Sequence, residues 1–204
     1  MEFPDGALAW QSVYKLMTGA IVPRPIGWIS TVDSDGIANL APYSFFNAVC
    51  SNPPYLLFCP AIRSSDGNHK DTLNNVVATG EFVVNIVSES LAVAMNTTAG
   101  EYASDTDEFE IAGVTKAPAT AVKAPRVAES LIHFECTLHQ IVTLGDSPGG
   151  GSIVIGRVVH IHVDDSVLIA PDKIDIAALQ PIGRLAGNAY SRVNDVFDLI
   201  RPKI

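Results

Sequence analysis

A single antiparallel β domain, built as a barrel or a sandwich, is the fold class this sequence predicts, and three observations predict it. Six runs with strand chemistry recur along the chain, most rich in Val, Ile and Phe, several bounded by turn clusters of Asp, Ser, Pro or Gly. Helical signals are confined to two short stretches, and no Gly-x-Gly-x-x-Gly follows a strand, so a doubly wound nucleotide-binding sheet has no support. The 204 residues are 48% hydrophobic and contain no linker rich in Pro, Ser or Gly, which suits one core.

The first run, Gly27 to Val32, ends at the turn Asp33-Ser34-Asp35-Gly36. The second and third, Asn39 to Phe45 and Tyr55 to Ala61, are joined through Ser51-Asn52-Pro53-Pro54. Between Gly36 and Ile62 there is no charged side chain. That length would admit a bilayer helix of about 20 residues, but Pro42 and the Pro53-Pro54 pair interrupt it, because proline lacks the backbone donor and clashes with the preceding turn. Read as strands, the segment leaves Asn39, Ser44 and Asn47 to face solvent, to be hydrogen-bonded inside, or to meet a polar ligand.

Asp71 or Thr72 is placed to cap a helix running through Leu73, Val76 and Val77 to Gly80. A fourth strand follows at Glu81 to Val87, then a second helix at Ser88 to Met95. The stretch Asn96 to Pro125 is acidic, then rich in Ala and Pro, and reads as an excursion across the surface rather than as core. Strands at Leu131 to Thr143 and Ser152 to Val163 close the pattern. Between them Gly149 to Gly151 form a hairpin turn, since the Lys-Ser or Lys-Thr of a phosphate loop is missing.

A formal net charge of −9 disfavours nucleic-acid backbones and anionic membrane surfaces, which need clustered Lys and Arg. The opening MEFPDGALAW lacks the basic and apolar regions of a secretory signal, and Cys50, Cys59 and Cys136 lie in apolar contexts without a Cys-x-x-Cys pair; a cytoplasmic protein with reduced, buried thiols is expected.

The stretch RSSDGNHKDTLNN, Arg63 to Asn75, gathers Arg63, Lys70, Ser64, Ser65 and Thr72 where a strand ends and a helix begins. Unpaired amides and the helix dipole favour an anion there. Asp71 opposes a dianion unless Lys70 or Arg63 pairs with it; the plainer reading makes Asp71 or Thr72 a cap and leaves the two cations solvated. Beside the uncharged strand pair, a cationic corner suits a flat heteroaromatic ligand with a phosphate tail, and flavin mononucleotide (FMN) meets that description.

The other reactive side chains carry less. His160 and His162 share one face of a strand, but no acidic or thiol partner is evident at ligand spacing, so half-exposed strand histidines are expected and no metal site. No serine stands in a Gly-x-Ser-x-Gly context. Trp10 and Trp28 read as core or interface residues, and no catalytic residue is assigned.

The runs PRPIGWISTVDSDGIANLAPYSFFNAVCSNPPYLLF, HKDTLNN, TGEFVVNIV and IGRLAGNAY, in this order, resemble the flavin reductase-like family of FMN-binding split barrels, which includes flavoredoxins and the reductase components of two-component monooxygenases. The resemblance covers roughly Thr18 to Tyr190. It implies a mainly β fold, a six-stranded antiparallel split barrel with a few short flanking helices, as one domain over residues 1–204. It also implies a homodimer that binds FMN near the dimer interface and reduces it with NADH or NADPH. By the same resemblance Ser30 and Thr31 contact the flavin, Asn39, Ala41, Pro42 and Ser44 line its ring and ribityl chain, and Lys70, Asp71 and Thr72, helped by Arg63, hold the phosphate side. Arg184 and Tyr190 match a carboxy-terminal GRLGG-x-x-Y pattern in which Ala186 replaces one glycine. Electrons then pass to a partner oxygenase, a redox protein or a small acceptor; a tightly FMN-bound electron carrier without nicotinamide turnover is the alternative.

Overall fold

Residues 2–202 are described by a computed structural model. Seven strands form one antiparallel sheet: β1 (Gly27–Val32), β2 (Ala38–Tyr43), β3 (Phe46–Ser51), β4 (Pro54–Phe58), β5 (Glu81–Ile86), β6 (Ile132–Leu144) and β7 (Gly151–Val163). Their order is β2-β1-β5-β6-β7-β4-β3, so β2 and β3 stand at opposite ends of the ladder. Only Ser44 and Phe45 separate these two strands in sequence. So short a link forces the sheet to roll up, bringing its ends together at a seam that no ladder among the described residues closes. The Phe46 ring lies directly against Gly27, where a Cβ would stand 2.7 Å from it.

The rolled sheet encloses Ile29, Tyr43, Phe58, Phe82, Val84 and Val154, onto which α2 (Asp71–Thr79) packs Leu73 and Val76. Phe58 meets Tyr43 and Phe82 at ring-centroid distances of 5.0 and 5.2 Å. Because alternate residues of a strand face opposite sides, β1 also sends Trp28 outward, into a second core with Leu40, Met95, Phe109, Val127 and Ile182. β1 is therefore covered on both faces, which explains its unbroken apolar reading. Gly80, at φ 70°, ends α2 in the left-handed conformation that glycine adopts without strain.

Several expectations change. The sheet has seven strands rather than six, because β3 was not legible: five of its six residues are exposed, and a solvated edge strand carries no apolar alternation. Cys50 lies on that strand and is exposed, so only Cys136 of the three thiols is fully buried. Helix α1 (Trp10–Ala20) was also missed; its N-cap makes no side-chain bond, its first turn holds no acid, and Thr18 alone is buried. The helix expected at Ser88 to Met95 is a 3₁₀ turn, Glu89–Leu91, followed by α3 (Ala92–Thr97). The stretch Asn96 to Pro125 is no mere surface excursion, since α4 (Glu108–Ala112) plants Phe109, 1% exposed, in the second core. No helix among the described residues is long and apolar enough to cross a membrane.

Among the glycines the closest approach is at Gly156 on β7, where a Cβ would fall inside the van der Waals surface of the Phe82 ring. Gly156→Ala is expected to lower stability by about 1–3 kcal/mol, the usual cost of overpacking, read as a lower urea midpoint with an unchanged slope.

Candidate functional site

At the start of α2 the charges are divided unequally. The Arg63 guanidinium bonds the Asp71 carboxylate and lies 3.7 Å from Asp66, so Asp71 is neutralised by its own loop. Lys70 is the N-cap and makes no side-chain capping bond, contrary to the expectation that Asp71 or Thr72 would cap. Its ammonium pairs with Glu101 at 3.4 Å, and the Ser65 hydroxyl donates to the other oxygen of the same carboxylate at 2.7 Å. The Ser65 bond first, then Lys70, holds the Glu101 carboxyl below the usual range.

Next to this corner is a cleft of about 80 Å³. Its floor is Asn39, Ala41, Pro42 and Tyr43 of β2; one wall is Arg63, Lys70, Asp71 and Thr72; the opposite wall is Thr98 to Tyr102 with Glu108. Buried side chains fix the floor. Glu108, 6% exposed, accepts from the Leu40 amide at 3.0 Å and from the Asn39 side-chain amide at 2.8 Å. Since a carboxylate only accepts, Asn39 must turn its NH₂ to Glu108 and its oxygen toward α2. There it accepts from Thr72 at 2.7 Å and from Thr31 at 3.4 Å, and Thr31 in turn accepts from Asn75 at 3.1 Å. Burial pushes the Glu108 carboxyl up, and the Leu40 and Asn39 donors pull it partly back. The buried Tyr43 hydroxyl has no partner of hydrogen-bond geometry, while burial raises its pKa against a smaller downward pull from Thr72.

A family model of the flavin reductase like domain matches residues 18–174. The chain belongs to the flavin reductase-like family. It is 42% identical to a protein of Aquifex aeolicus (strain VF5), over 93% of this chain and 94% of that one. The crystal structure of nitrilotriacetate monooxygenase component B from Bacillus cereus is similar at a TM-score of 0.92 and 36% identity, covering 98% of each chain. A structure from Shewanella frigidimarina NCIMB 400 described as having a split barrel domain superposes at a TM-score of 0.84 with 24% identity, covering 99% of this chain and 100% of that one, and supports the rolled-sheet description.

In this flavin reductase-like chain, seven of the expected site residues line the cleft: Asn39, Ala41, Pro42, Arg63, Lys70, Asp71 and Thr72. Five do not. Thr31 is fully buried beneath it, bonded to Asn39 and Asn75, and Ser30, fully buried on the opposite face of β1, donates to the Pro125 carbonyl at 2.5 Å. Ser44 accepts from Arg24, and that guanidinium also bonds the carbonyls of Thr18, Ile21 and Leu185, tying α1 to the hairpin of β8 (Ile182–Arg184) and β9 (Tyr190–Arg192). Arg184 stacks on Tyr190 at 4.5 Å in that hairpin, and Tyr190 reaches Asn96 at 3.1 Å, just before the cleft wall. Sequence reasoning missed Glu101, Tyr102 and Glu108; acids in an acidic stretch read as solvated. It also missed the acidic neighbour of His160 and His162, which are half-buried as expected: Glu135 comes from the adjacent strand, where spacing along one strand cannot reveal it.

Glu108→Gln keeps the volume but leaves either Leu40 or Asn39 facing a donor. The expected loss is about 1–3 kcal/mol, the cost of one unsatisfied buried group, measured as a drop in the urea midpoint; an unchanged midpoint would show that this carboxylate does not organise the cleft.

Proposed function

We propose that the cleft binds FMN, and that the protein is an NAD(P)H-dependent flavin reductase passing electrons to a partner oxygenase or a small acceptor in the cytoplasm. The observation that carries this reading is the position of Glu101. A carboxylate held at once by the Ser65 hydroxyl and the Lys70 ammonium marks an anion-accepting corner at a helix start, with Asp71 already neutralised by Arg63. A terminal phosphate satisfies the same donors.

The residues fit FMN in kind. Lys70 and Ser65, the donors that now hold Glu101, would hold the phosphate, and Ala41 and Pro42 would cover apolar surface and exclude water. When bound, FMN supplies hydride acceptance from the nicotinamide; the protein orients it and needs no side-chain acid or base. The cleft, at about 80 Å³, is smaller than the roughly 300 Å³ and upward of most small-molecule sites. Entry of FMN therefore displaces Glu101 and its neighbours, and a second copy of the chain supplies further cover. Exposed Val13, Tyr14, Leu16 and Met17 on α1, with Val49 on β3, support such a homodimer. Light scattering during size exclusion is expected to give twice the mass of one chain; a monomer that retains FMN would refute the shared pocket.

Two substitutions with opposite effects test the corner. Lys70→Ala is expected to weaken FMN binding roughly tenfold, about 1.5 kcal/mol for one charge-assisted bond. Glu101→Gln is expected to tighten it roughly two- to fivefold, the size of an exposed ion pair. Riboflavin, without the phosphate, responds to neither. Calorimetric titration reads all three, and equal FMN affinity in both variants would move the phosphate elsewhere. Oxidation of NADH or NADPH that saturates with added FMN supports the reductase; a yellow protein inert to both nucleotides supports a carrier.

A further inference from the structure

We propose that Glu135, His160 and His162 form a binding site for a divalent transition metal, with zinc as the ion suited to the donors. His160 and His162 are two apart on β7 and share a face, and the β6–β7 register sets Glu135 opposite His160. One ligand atom from each of the three lies within 4.8 Å of the others. Zinc takes nitrogen at about 2.0–2.1 Å and carboxylate oxygen at about 2.0–2.2 Å, so small rotations of the two rings bring all three donors into range. Two histidines and one carboxylate leave a fourth position for water.

The surroundings favour a cation there. The Glu135 side chain is 0% exposed, and its oxygens accept from the amides of Thr120 at 2.8 Å and Ala121 at 2.5 Å and from His162 Nε2 at 2.5 Å. Neither Lys nor Arg bonds this carboxylate among the described residues. A buried anion needs positive charge close by, and the His162 ring N–H that now faces it is what a metal would replace. The two backbone donors orient the carboxylate as outer-sphere partners do at metal sites. His160 has no hydrogen bond among the described residues, so its donor atoms are uncommitted, and its ring lies 4.3 Å from that of His162. Behind them His133, 4% exposed, donates Nε2–H to the Val127 carbonyl at 2.8 Å, and its Nδ1 lone pair is buried without a partner, 6.0 Å between ring centroids from His162. Both ligand histidines are partly exposed, so an ion can enter from solvent.

A metal here would pin residues 118–125 to the sheet, the same stretch whose Pro125 carbonyl is held by Ser30. The site needs no flavin, so its test is independent of the proposed activity. The full-length protein, stripped with chelator and dialysed against zinc chloride, is expected to retain one zinc per chain by elemental analysis and to unfold at a higher temperature with zinc than with chelator. His160→Gln is expected to weaken zinc retention at least tenfold while leaving the chelator-treated unfolding temperature nearly unchanged, because His160 makes no hydrogen bond among the described residues. Cobalt in place of zinc should give the visible bands of a four-coordinate ion in the parent and lose them in the variant. No retained zinc in the parent, or equal retention in parent and His160→Gln, would overturn the proposal and leave the His162 ring and the two backbone amides as the partners of Glu135.

Discussion

One carboxylate accepting from two donors sets the geometry of the cleft. Glu108 sits in the segment that leaves the sheet after α3, and its acceptors are met by Leu40 and Asn39, far back in the chain on β2. Being acceptor-only, it dictates which way Asn39 points, and Asn39 then dictates where the hydroxyls of Thr72 and Thr31 direct their protons. Three separate pieces of chain, β2, α2 and the α3–α4 segment, are thereby locked in one arrangement. Phe109, the next residue, supplies the apolar anchor that keeps the carboxylate in place, worth about 1.5–3 kcal/mol for a buried side chain of that size.

A second amide does the same work on the other side of the sheet. Asn85 donates to the Trp28 carbonyl at 2.9 Å and to the Ser30 hydroxyl at 3.1 Å, and accepts from the Val127 amide at 2.8 Å. Buried Asn, Ser and Thr in β1, β2 and β5 are therefore mostly satisfied by the inserted segment and by α2. The uncharged character of β2 follows from this: a largely covered strand can keep a polar group only where a partner is built in. Arg24 obeys the same rule with four neutral acceptors and no carboxylate, and burial lowers its pKa.

These arrangements explain what the sequence disclosed. The runs at 27–32, 81–87, 131–143 and 152–163 were legible to within a residue or so, because their Val, Ile and Phe pack on at least one covered face. Strand β3 and helix α1 were not, since their apolar residues face outward and neither has a capping or alternation signal. Lys70, Thr72 and Asn39 stood out as polar residues beside an apolar run. Glu101 and Glu108 could not: Glu108 is 69 positions from Asn39, and nothing local distinguishes an acid bound for the interior from the solvated acids around it. Ser30 and Thr31, which the family resemblance alone singles out as flavin contacts, are bonded by the 118–125 stretch and by α2 respectively.

The cleft's two walls differ in how firmly they are held. The α2 wall is fixed by buried bonds from Thr72 and Asn75 and by the core contacts of Leu73 and Val76. The facing wall is held at its ends, by the Trp28 indole donating to Thr98 at 2.8 Å and by Glu108, while between them the exposed Glu101 bonds only Ser65 and the half-buried Lys70 among the described residues. Exposed ion pairs contribute about 0–1 kcal/mol, far less than the buried bonds at either end. Residues 99–102 are thus the part of the boundary that yields at least cost, and a ligand that takes over Lys70 and Ser65 removes what holds Glu101 in place. Rigid polar groups on one side and a weakly held acid on the other give a site that is shaped before binding yet can still open.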